Sequence, residues 1–373
     1  MQTVVISGSG LWKPAEFVTN AELVAAYNGF ATQYNAAFAE QIARGDVAEK
    51  PLSSVEFIEK ASGIKQRYTY CKDGILEIDR MRPRLPPRAD DELSHQGEMA
   101  VNAARRAMQA AGKEAGDIDM VVVSCAYTQR AYPAIAIEVQ HALGIQGFGF
   151  DMLVACSAAT FALHRAYDAV AAGSARCVLV INPELTTPQV NFKDRDGHFI
   201  FGDVSTATIL EPADSATSRH RYEIVATQAV TQYSNNIRSN FGYLSYAEDC
   251  DPFGDDKLFR QNGRKVFKEV CPMAAEHLES RGQKAGYQVA DIKRWWLHQA
   301  NVNMNDLIVR RLLGRDAEFL EAPVVLDEYA NTASAGSIIA FNLYHEDLEA
   351  GDLGVICSFG AGYSIGSLLV KKL

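Results

Sequence analysis

A duplicated α/β fold, two similar halves packed face to face, is predicted by three features of the sequence. The first is the stretch Phe148–Pro183, FGFDMLVACSAATFALHRAYDAVAAGSARCVLVINP, which reads as strand, helix, strand. Its apolar run Phe150–Ala155 reaches Cys156 and a set of small residues. Phe161, Leu163, Ala166 and Val170 then recur at helical spacing, Gly173 stops the helix, and Cys177–Ile181 reads as a second buried strand. The second feature is an order of elements that occurs twice. A helix over about Ser94–Ala111, ended by Gly112, leads through Asp117-Ile118 into a strand at Met120–Cys125; a helix over about Val266–Arg281, ended near Gly282, leads through Asp291-Ile292 into a strand at Arg294–Leu297. The two Asp-Ile pairs lie 174 positions apart (291 − 117). The third is that the same distance counted from Cys156 falls one short of Asn331, which sits on its own strand-to-helix turn in VVLDEYANTASAGSIIAFNLY. Such recurrence points to duplication, with the strand-to-helix turns of both halves meeting at the centre.

Taken in order, Thr3–Ile6 reads as a first strand closed by the turn-forming residues Ser7–Gly10. Residues Asn20–Glu49 carry helical spacing through Leu23, Tyr27, Phe30, Tyr34, Phe38 and Ile42, until Pro51 breaks it. Val55–Ala61 is a short helix ended by Ser62 and Gly63. The run Arg80–Asp91, RMRPRLPPRADD, is an irregular loop by its proline and charge content. The boundary between halves falls in the polar stretch Glu211–Ser218, giving 1–213 and 214–373. The last strands, Val355–Ser358 and Ser367–Val370, flank Phe359-Gly360-Ala361-Gly362.

The 373 residues, 48% hydrophobic and 22% charged, suffice for a sizeable core. A net charge of −10 argues against nucleic acid as a partner, and an acidic partner would need a local basic patch. Seven scattered cysteines without a C-x-x-C pair suggest neither a disulfide framework nor a zinc site. The start, MQTVVISGSGLW, has no basic leader followed by a long apolar core, and no run reaches the length of a membrane span. A cytoplasmic protein without membrane contact is the expectation.

Three groups invite chemistry. Cys156 stands where a strand hands over to a helix, and there unpaired amide N–H groups and the helix dipole favour a thiolate. The ordinary reading of such a cysteine is a small core residue. His298 ends its strand, at the edge of an open sheet where ligands usually bind, although most single histidines are satisfied core residues. The Phe359–Gly362 turn can aim N–H groups at a developing oxyanion, or serve as a plain hairpin turn.

Together VACSAATFAL, LHQAN, EYANTASAGS and FGAGYSIGS resemble, in order and spacing, the motifs of the β-ketoacyl-acyl-carrier-protein synthase III family. The resemblance implies a thiolase-like duplicated α-β-α-β-α five-layer sandwich that works as a homodimer. It implies Cys156 as nucleophile with His298 and Asn331 as partners, and an oxyanion hole from the N–H groups of Cys156 and Ala361. It implies a decarboxylative Claisen condensation: an acyl group moves from acyl-CoA to Cys156, then malonyl-acyl-carrier protein loses carbon dioxide and attacks it, with no metal or redox cofactor. By the same resemblance Phe57 and Arg195 hold the adenine of CoA, with phenylalanine where the family usually has tryptophan. Tyr132 reaches the partner protomer's acyl pocket. Lys268, Arg310 and Arg311 dock the acidic carrier protein, one arginine of that patch being replaced by Asn303. Extra segments at about 28–50 and 70–91 resemble a longer branch that accepts medium-chain acyl primers, β-ketodecanoyl-carrier-protein synthases among them. Those segments are expected to build part of a larger acyl pocket. The other readings are a papain-like thiol hydrolase, a relative making quinolones, resorcinols or long-chain ketones, and a non-catalytic acyl-binding paralogue.

Overall fold

A computed structural model describes residues 2–242 and 247–373, with backbone alone at 281–284. The chain begins with β1 (Val4–Trp12), β2 (Phe17–Thr19), α1 (Asn20–Ala37), α2 (Ala39–Arg44), α3 (Val55–Ser62) and β3 (Gln66–Tyr68). It continues with α4 (His95–Ala111), β4 (Met120–Cys125), α5 (Ile135–Leu143), β5 (Phe148–Leu153), α6 (Ala158–Ala171), β6 (Val178–Glu184) and β7 (Val204–Pro212). Then come β8 (Tyr222–Ser234), β9 (Ile237–Arg238), β10 (Arg260–Gln261), α7 (Gly263–Lys284), β11 (Ile292–Leu297) and α8 (Val302–Leu313). The last elements are α9 (Leu326–Tyr329), α10 (Gly336–Leu343), β12 (Leu353–Gly360) and β13 (Gly362–Lys372). Side-chain caps fix the helix starts: Thr19 and Glu22 form a reciprocal capping box on α1, and the hydroxyls of Ser54 and Ser94 accept the N–H groups of Phe57 and Gly97 in the first turns of α3 and α4.

Nine strands form one hydrogen-bonded ladder in the order β11-β12-β13-β8-β1-β7-β6-β4-β5. Outward from the central β1–β8 junction each side repeats one pattern: two antiparallel pairings, then a parallel one (β6–β4 and β12–β11). The junction itself carries two residue pairs, Val5 with Glu223 and Ile6 with Tyr222.

Strand alternation sorts the side chains into layers. Met120, Val122, Val178 and Val180 face a core shared with Trp296, Ile356 and Leu368 from the other side, and α6 and α10 lie within that core. Val121, Val123, Leu179 and Ile181 face the opposite way, against α4 and α5. Trp295, Leu297, Val355 and Cys357 likewise face α7 and α8. The layers run α4/α5, sheet, α6/α10, sheet, α7/α8, which is the five-layer α-β-α-β-α sandwich.

Four local readings of the sequence are corrected. Ser7–Gly10 do not turn: β1 runs straight through them, with one register shift between Ile6 and Gly8. The glycines there serve close approach, because a Cβ on Gly8 or Gly10 would fall 2.5 or 2.4 Å from a carbonyl oxygen of α4. Helix α7 passes through Gly282 and ends nearer Gly286, whose φ is +83°. Strand β5 is not buried. It forms the sheet's edge, pairs among the described residues only with β4, and leaves Phe148 (48%), Phe150 (36%) and Leu153 (54%) exposed. Finally, the positional counterpart of Cys156 is Ser334 rather than Asn331. Ala155 and Ala333, 178 positions apart (333 − 155), both have φ of +45°, and each opens a single 3-10 turn that leads into a central helix, α6 or α10.

Candidate active site

Cys156 occupies the 3-10 turn Ala155–Ser157, and the left-handed backbone at Ala155 makes that turn sharp. Behind it the hydroxyl of Ser157 donates to the carbonyl of Ser364 (2.8 Å), and the Ser364 hydroxyl accompanies it at 2.9 Å while reaching the Ala361 carbonyl at 2.9 Å. These bonds tie the cysteine turn to the β12–β13 turn. Ala361 is the single residue between those strands, and its backbone N–H, like that of Cys156, reaches the cysteine sulfur.

His298 follows the last residue of β11 and continues the ladder, its N–H donating to the Cys357 carbonyl at 2.8 Å. Its ring packs edge-on against Phe359 at 5.1 Å. Gln299 braces the turn, donating to the carbonyls of Leu297 and Pro323 and accepting from Val325 N–H. Asn331 follows α9 and bridges to the segment 200–202: its N–H donates to Ile200 (3.0 Å) and its carbonyl accepts from Gly202 (3.1 Å). Its carboxamide oxygen accepts Ala333 N–H at 2.9 Å, which leaves the amide NH2 as the end turned to the cavity.

Cys156, His298 and Asn331 line one cavity of about 290 Å³, whose walls include Phe57, Phe199 and Met304. A second cavity of about 280 Å³ also reaches Cys156, with Ala361, Ile237, Phe201 and Phe259 in its wall. The cysteine thus stands between two largely apolar chambers.

The electrostatics correct one expectation. Burial pushes the Cys156 thiol up to about 12, and the charge of Glu184 adds to the rise; the two backbone N–H groups pull the other way and lose. The resting group is a thiol, since one short turn of dipole does not outweigh desolvation. Burial lowers His298 to about 4, against a small opposite pull from the Ala333 backbone, so the imidazole is neutral at pH 7.

Profiles described as 3-oxoacyl-[acyl-carrier-protein (ACP)] synthase III and its C-terminal part match residues 150–231 and 283–372. The Pseudomonas aeruginosa protein named β-ketodecanoyl-[acyl-carrier-protein] synthase is 57% identical over 346 residues, 93% of this chain and 99% of that one. The chain belongs to the β-ketoacyl-acyl-carrier-protein synthase III family. Condensing acyltransferases of fatty acid synthesis make up this family, and the chain is one of them. The synthase III of Novosphingobium aromaticivorans is 30% identical over 277 residues, 73% of this chain and 83% of that one. The synthase III structure from Aquifex aeolicus shares the fold, with a TM-score of 0.75 at 22% identity over 99% of both chains.

The remaining sequence-predicted residues of this synthase fall in three places. Phe57, in the wall of the first cavity, meets Arg195, whose guanidinium lies 3.7 Å above the ring centre and whose Nε donates to the Leu52 carbonyl. They stack on each other. Tyr132 is 84% exposed, in the loop before α5. Asp151 of β5 accepts the first two N–H groups of α5, which holds that loop beside the exposed β5 edge. Lys268 on α7 and Arg310 and Arg311 on α8 are all exposed, with Arg310 Nε paired to Asp316 at 2.6 Å.

The segment 28–50 borders a basin beside the first cavity. Tyr34 and Lys50 line a basin of about 770 Å³ with Arg195, and the basin adjoins the first cavity through Asp196, Phe259 and Gln261. Neither 28–50 nor 70–91 supplies a wall to the second cavity.

Within the Phe359–Gly362 turn singled out in the sequence, Gly360 lies buried against Cys156. One residue escaped the sequence reading: Glu184 ends β6, is fully buried, and carries a carboxylate that burial raises to about 7. A lone acid closing an apolar strand, VLVINPE, was the available signal.

Proposed function

We propose that this chain is a priming synthase that moves a medium-chain acyl group from acyl-CoA onto Cys156 and condenses it with malonyl-acyl-carrier protein. The observation that carries the proposal is the convergence of Cys156, His298 and Asn331, from three separate turns, on one cavity. In the first step the Cys156 sulfur attacks the thioester carbonyl; its proton passes to the departing CoA sulfur, and an acyl-cysteine forms. The carbonyl oxygen rests on the N–H groups of Cys156 and Ala361 while it bears charge. In the second step malonyl-carrier protein enters through the first cavity. The neutral His298 ring and the Asn331 NH2 donate to its thioester oxygen as carbon dioxide leaves and an enolate forms. The enolate carbon attacks the acyl-cysteine, the Cys156–acyl bond breaks, and the sulfur takes up a proton. Neither step moves electrons between redox states, so acyl-CoA, malonyl-carrier protein and a proton suffice without a cofactor.

Under this reading the first cavity is the pantetheine channel, with Phe57 and Arg195 gripping the adenine at its mouth. The second cavity holds the acyl chain. Lys268, Arg310 and Arg311 receive the acidic carrier protein. The apolar β5 edge, with Tyr132 beside it, pairs with a second copy, and Tyr132 reaches that copy's acyl chamber. The chain is duplicated as 1–213 and 214–373. No helix among the described residues is long and apolar enough to cross a membrane, and a cytoplasmic location accords with the substrates. The relative with 57% identity carries β-ketodecanoyl in its name, and octanoyl is the corresponding primer. The test is turnover with a panel of acyl-CoA primers and malonyl-carrier protein, products identified by mass. Octanoyl-CoA is expected to exceed acetyl-CoA, and a preference for acetyl rejects the medium-chain assignment.

A further inference from the structure

The two sharp turns at the centre of the molecule are related by the duplication, yet only one carries a nucleophile. The other carries Ser334, and both touch. Glu184 lies at their contact. One carboxylate oxygen accepts the N–H of Ala126, just past the end of β4, at 3.1 Å; the other accepts the N–H of Ser334 at 3.1 Å and the Ser334 hydroxyl. A single buried carboxylate therefore joins the first half's sheet edge to the second half's turn. Ser334 adjoins Ala333, whose N–H holds the Asn331 carboxamide oxygen and whose backbone also acts on His298. The same charge is felt at the Cys156 sulfur.

We propose that Glu184 is the positioning residue that holds the His298–Asn331 side of the site in register with Cys156. The inference rests on the condensing reaction proposed above, and it assigns Glu184 no contact with substrate. Three donors converge on the carboxylate and no cation is among them, so the group is kept by geometry rather than by ion pairing. Such a buried charge is costly. Nearby titratable groups are Asp203, Cys125 and Cys156, none of which supplies a compensating charge.

Glu184→Gln is the test. The amide keeps one acceptor but turns an NH2 toward one of the donors, and it removes the charge beside Cys156. Two readouts separate positioning from mere stability. Acylation of Cys156 needs the cysteine turn and the Ala361 N–H, whereas condensation also needs the His298–Asn331 side. Condensation is expected to fall about 10- to 100-fold, as for a small misplacement of reacting groups, with acylation by octanoyl-CoA largely kept. The second readout is the rate of Cys156 alkylation by iodoacetamide against pH. Without the carboxylate the thiol titrates at lower pH, so the variant is expected to react faster than the wild type above about pH 7 and equally below pH 5, where the wild-type Glu184 is protonated and as uncharged as the amide that replaces it. Wild-type condensation in the variant, or an equal fall in both steps, overturns the proposal. If Glu184→Gln does not fold, Ser334→Ala takes its place: a selective loss of condensation supports the proposal and unchanged condensation overturns it. Should the wild-type protein make no condensation product, the condensing function fails on its own. A crystal structure of Glu184→Gln then judges the assignment: a displaced Ser334 turn and Asn331 carboxamide support it, and an unmoved His298–Asn331 side overturns it.

Discussion

A Cβ placed on Gly360 would lie 2.5 Å from the Cβ of Cys156 and 3.2 Å from its sulfur. The last residue of β12 is glycine because the nucleophile occupies the space a side chain would take. Gly360→Ala must push the cysteine turn away from the Ala361 N–H. The expected result is slower alkylation and acylation of Cys156, with a stability loss of about 1–3 kcal/mol from overpacking. Urea unfolding beside a thiol-labelling rate checks both, and unchanged labelling would mean that the turn has slack the packing does not reveal.

The division of labour proposed across the cavity makes His298 and Asn331 separable from Cys156. In His298→Ala and Asn331→Ala the N–H groups of Cys156 and Ala361 remain, so acyl-cysteine should still form. Condensation should fall by roughly 100-fold or more, the usual cost of removing a donor from a developing oxyanion. Intact-mass measurement after octanoyl-CoA, followed by malonyl-carrier protein, reads each step. Loss of the acyl adduct in both variants would assign them to the first step instead.

The large-scale design was legible in the sequence because it rests on periodicity and repetition. Met120–Cys125 and Val178–Ile181 alternate faces in a way only a covered sheet requires, and four motifs bring Cys156, His298 and Asn331 together in order. What was not legible depended on neighbours distant in the chain. Gly8 and Gly10 look like turn formers until α4 is laid against them. The run Phe148–Leu153 has a core strand's composition, yet its place at the sheet edge is fixed by strand order. The resting thiol of Cys156 escaped because a helix start is visible in sequence, whereas burial and the charge of Glu184 are not. The repeat distance of 174 holds for the outer helices and slips to 178 at the central turns, which hid Ser334 as the counterpart of Cys156.

That exposed edge gives a direct test of the proposed dimer. Among the described residues strand β5 hydrogen-bonds on one side only, and it presents Phe148, Phe150 and Leu153 to solvent in the single chain. Long apolar edges of this kind are ordinarily covered. Phe150→Asp should convert a dimer into a monomer, seen as a halved mass in sedimentation equilibrium. Acyl transfer from long primers should suffer more than from acetyl-CoA if Tyr132 crosses the interface. A wild-type monomer would reject the dimer, and a variant that still dimerises would move the interface elsewhere.

Acid sensitivity should trace to histidines that the fold keeps neutral. His345 stacks on Phe341 at 4.8 Å, and its carbonyl accepts the Tyr222 hydroxyl. Burial lowers its ring from the ordinary 6.5 to about 4, and the positive charges of Lys372 and His220 push the same way. Between those values the unfolded chain binds a proton that the folded chain refuses. The stability contribution is therefore complete above pH 6.5 and is lost as pH falls toward 4, up to about 3 kcal/mol for this group. His198 and His298 are lowered to about 4 in the same sense; Glu184, raised to about 7, acts oppositely, its burial costing stability as pH rises from 4.5. Comparing wild type with His345→Phe removes these shared contributions and keeps the stacked ring. Urea unfolding at pH 7.5 and pH 4 should show the variant losing less stability than wild type, by up to about 3 kcal/mol. Equal losses in the two proteins would place the proton uptake on other groups.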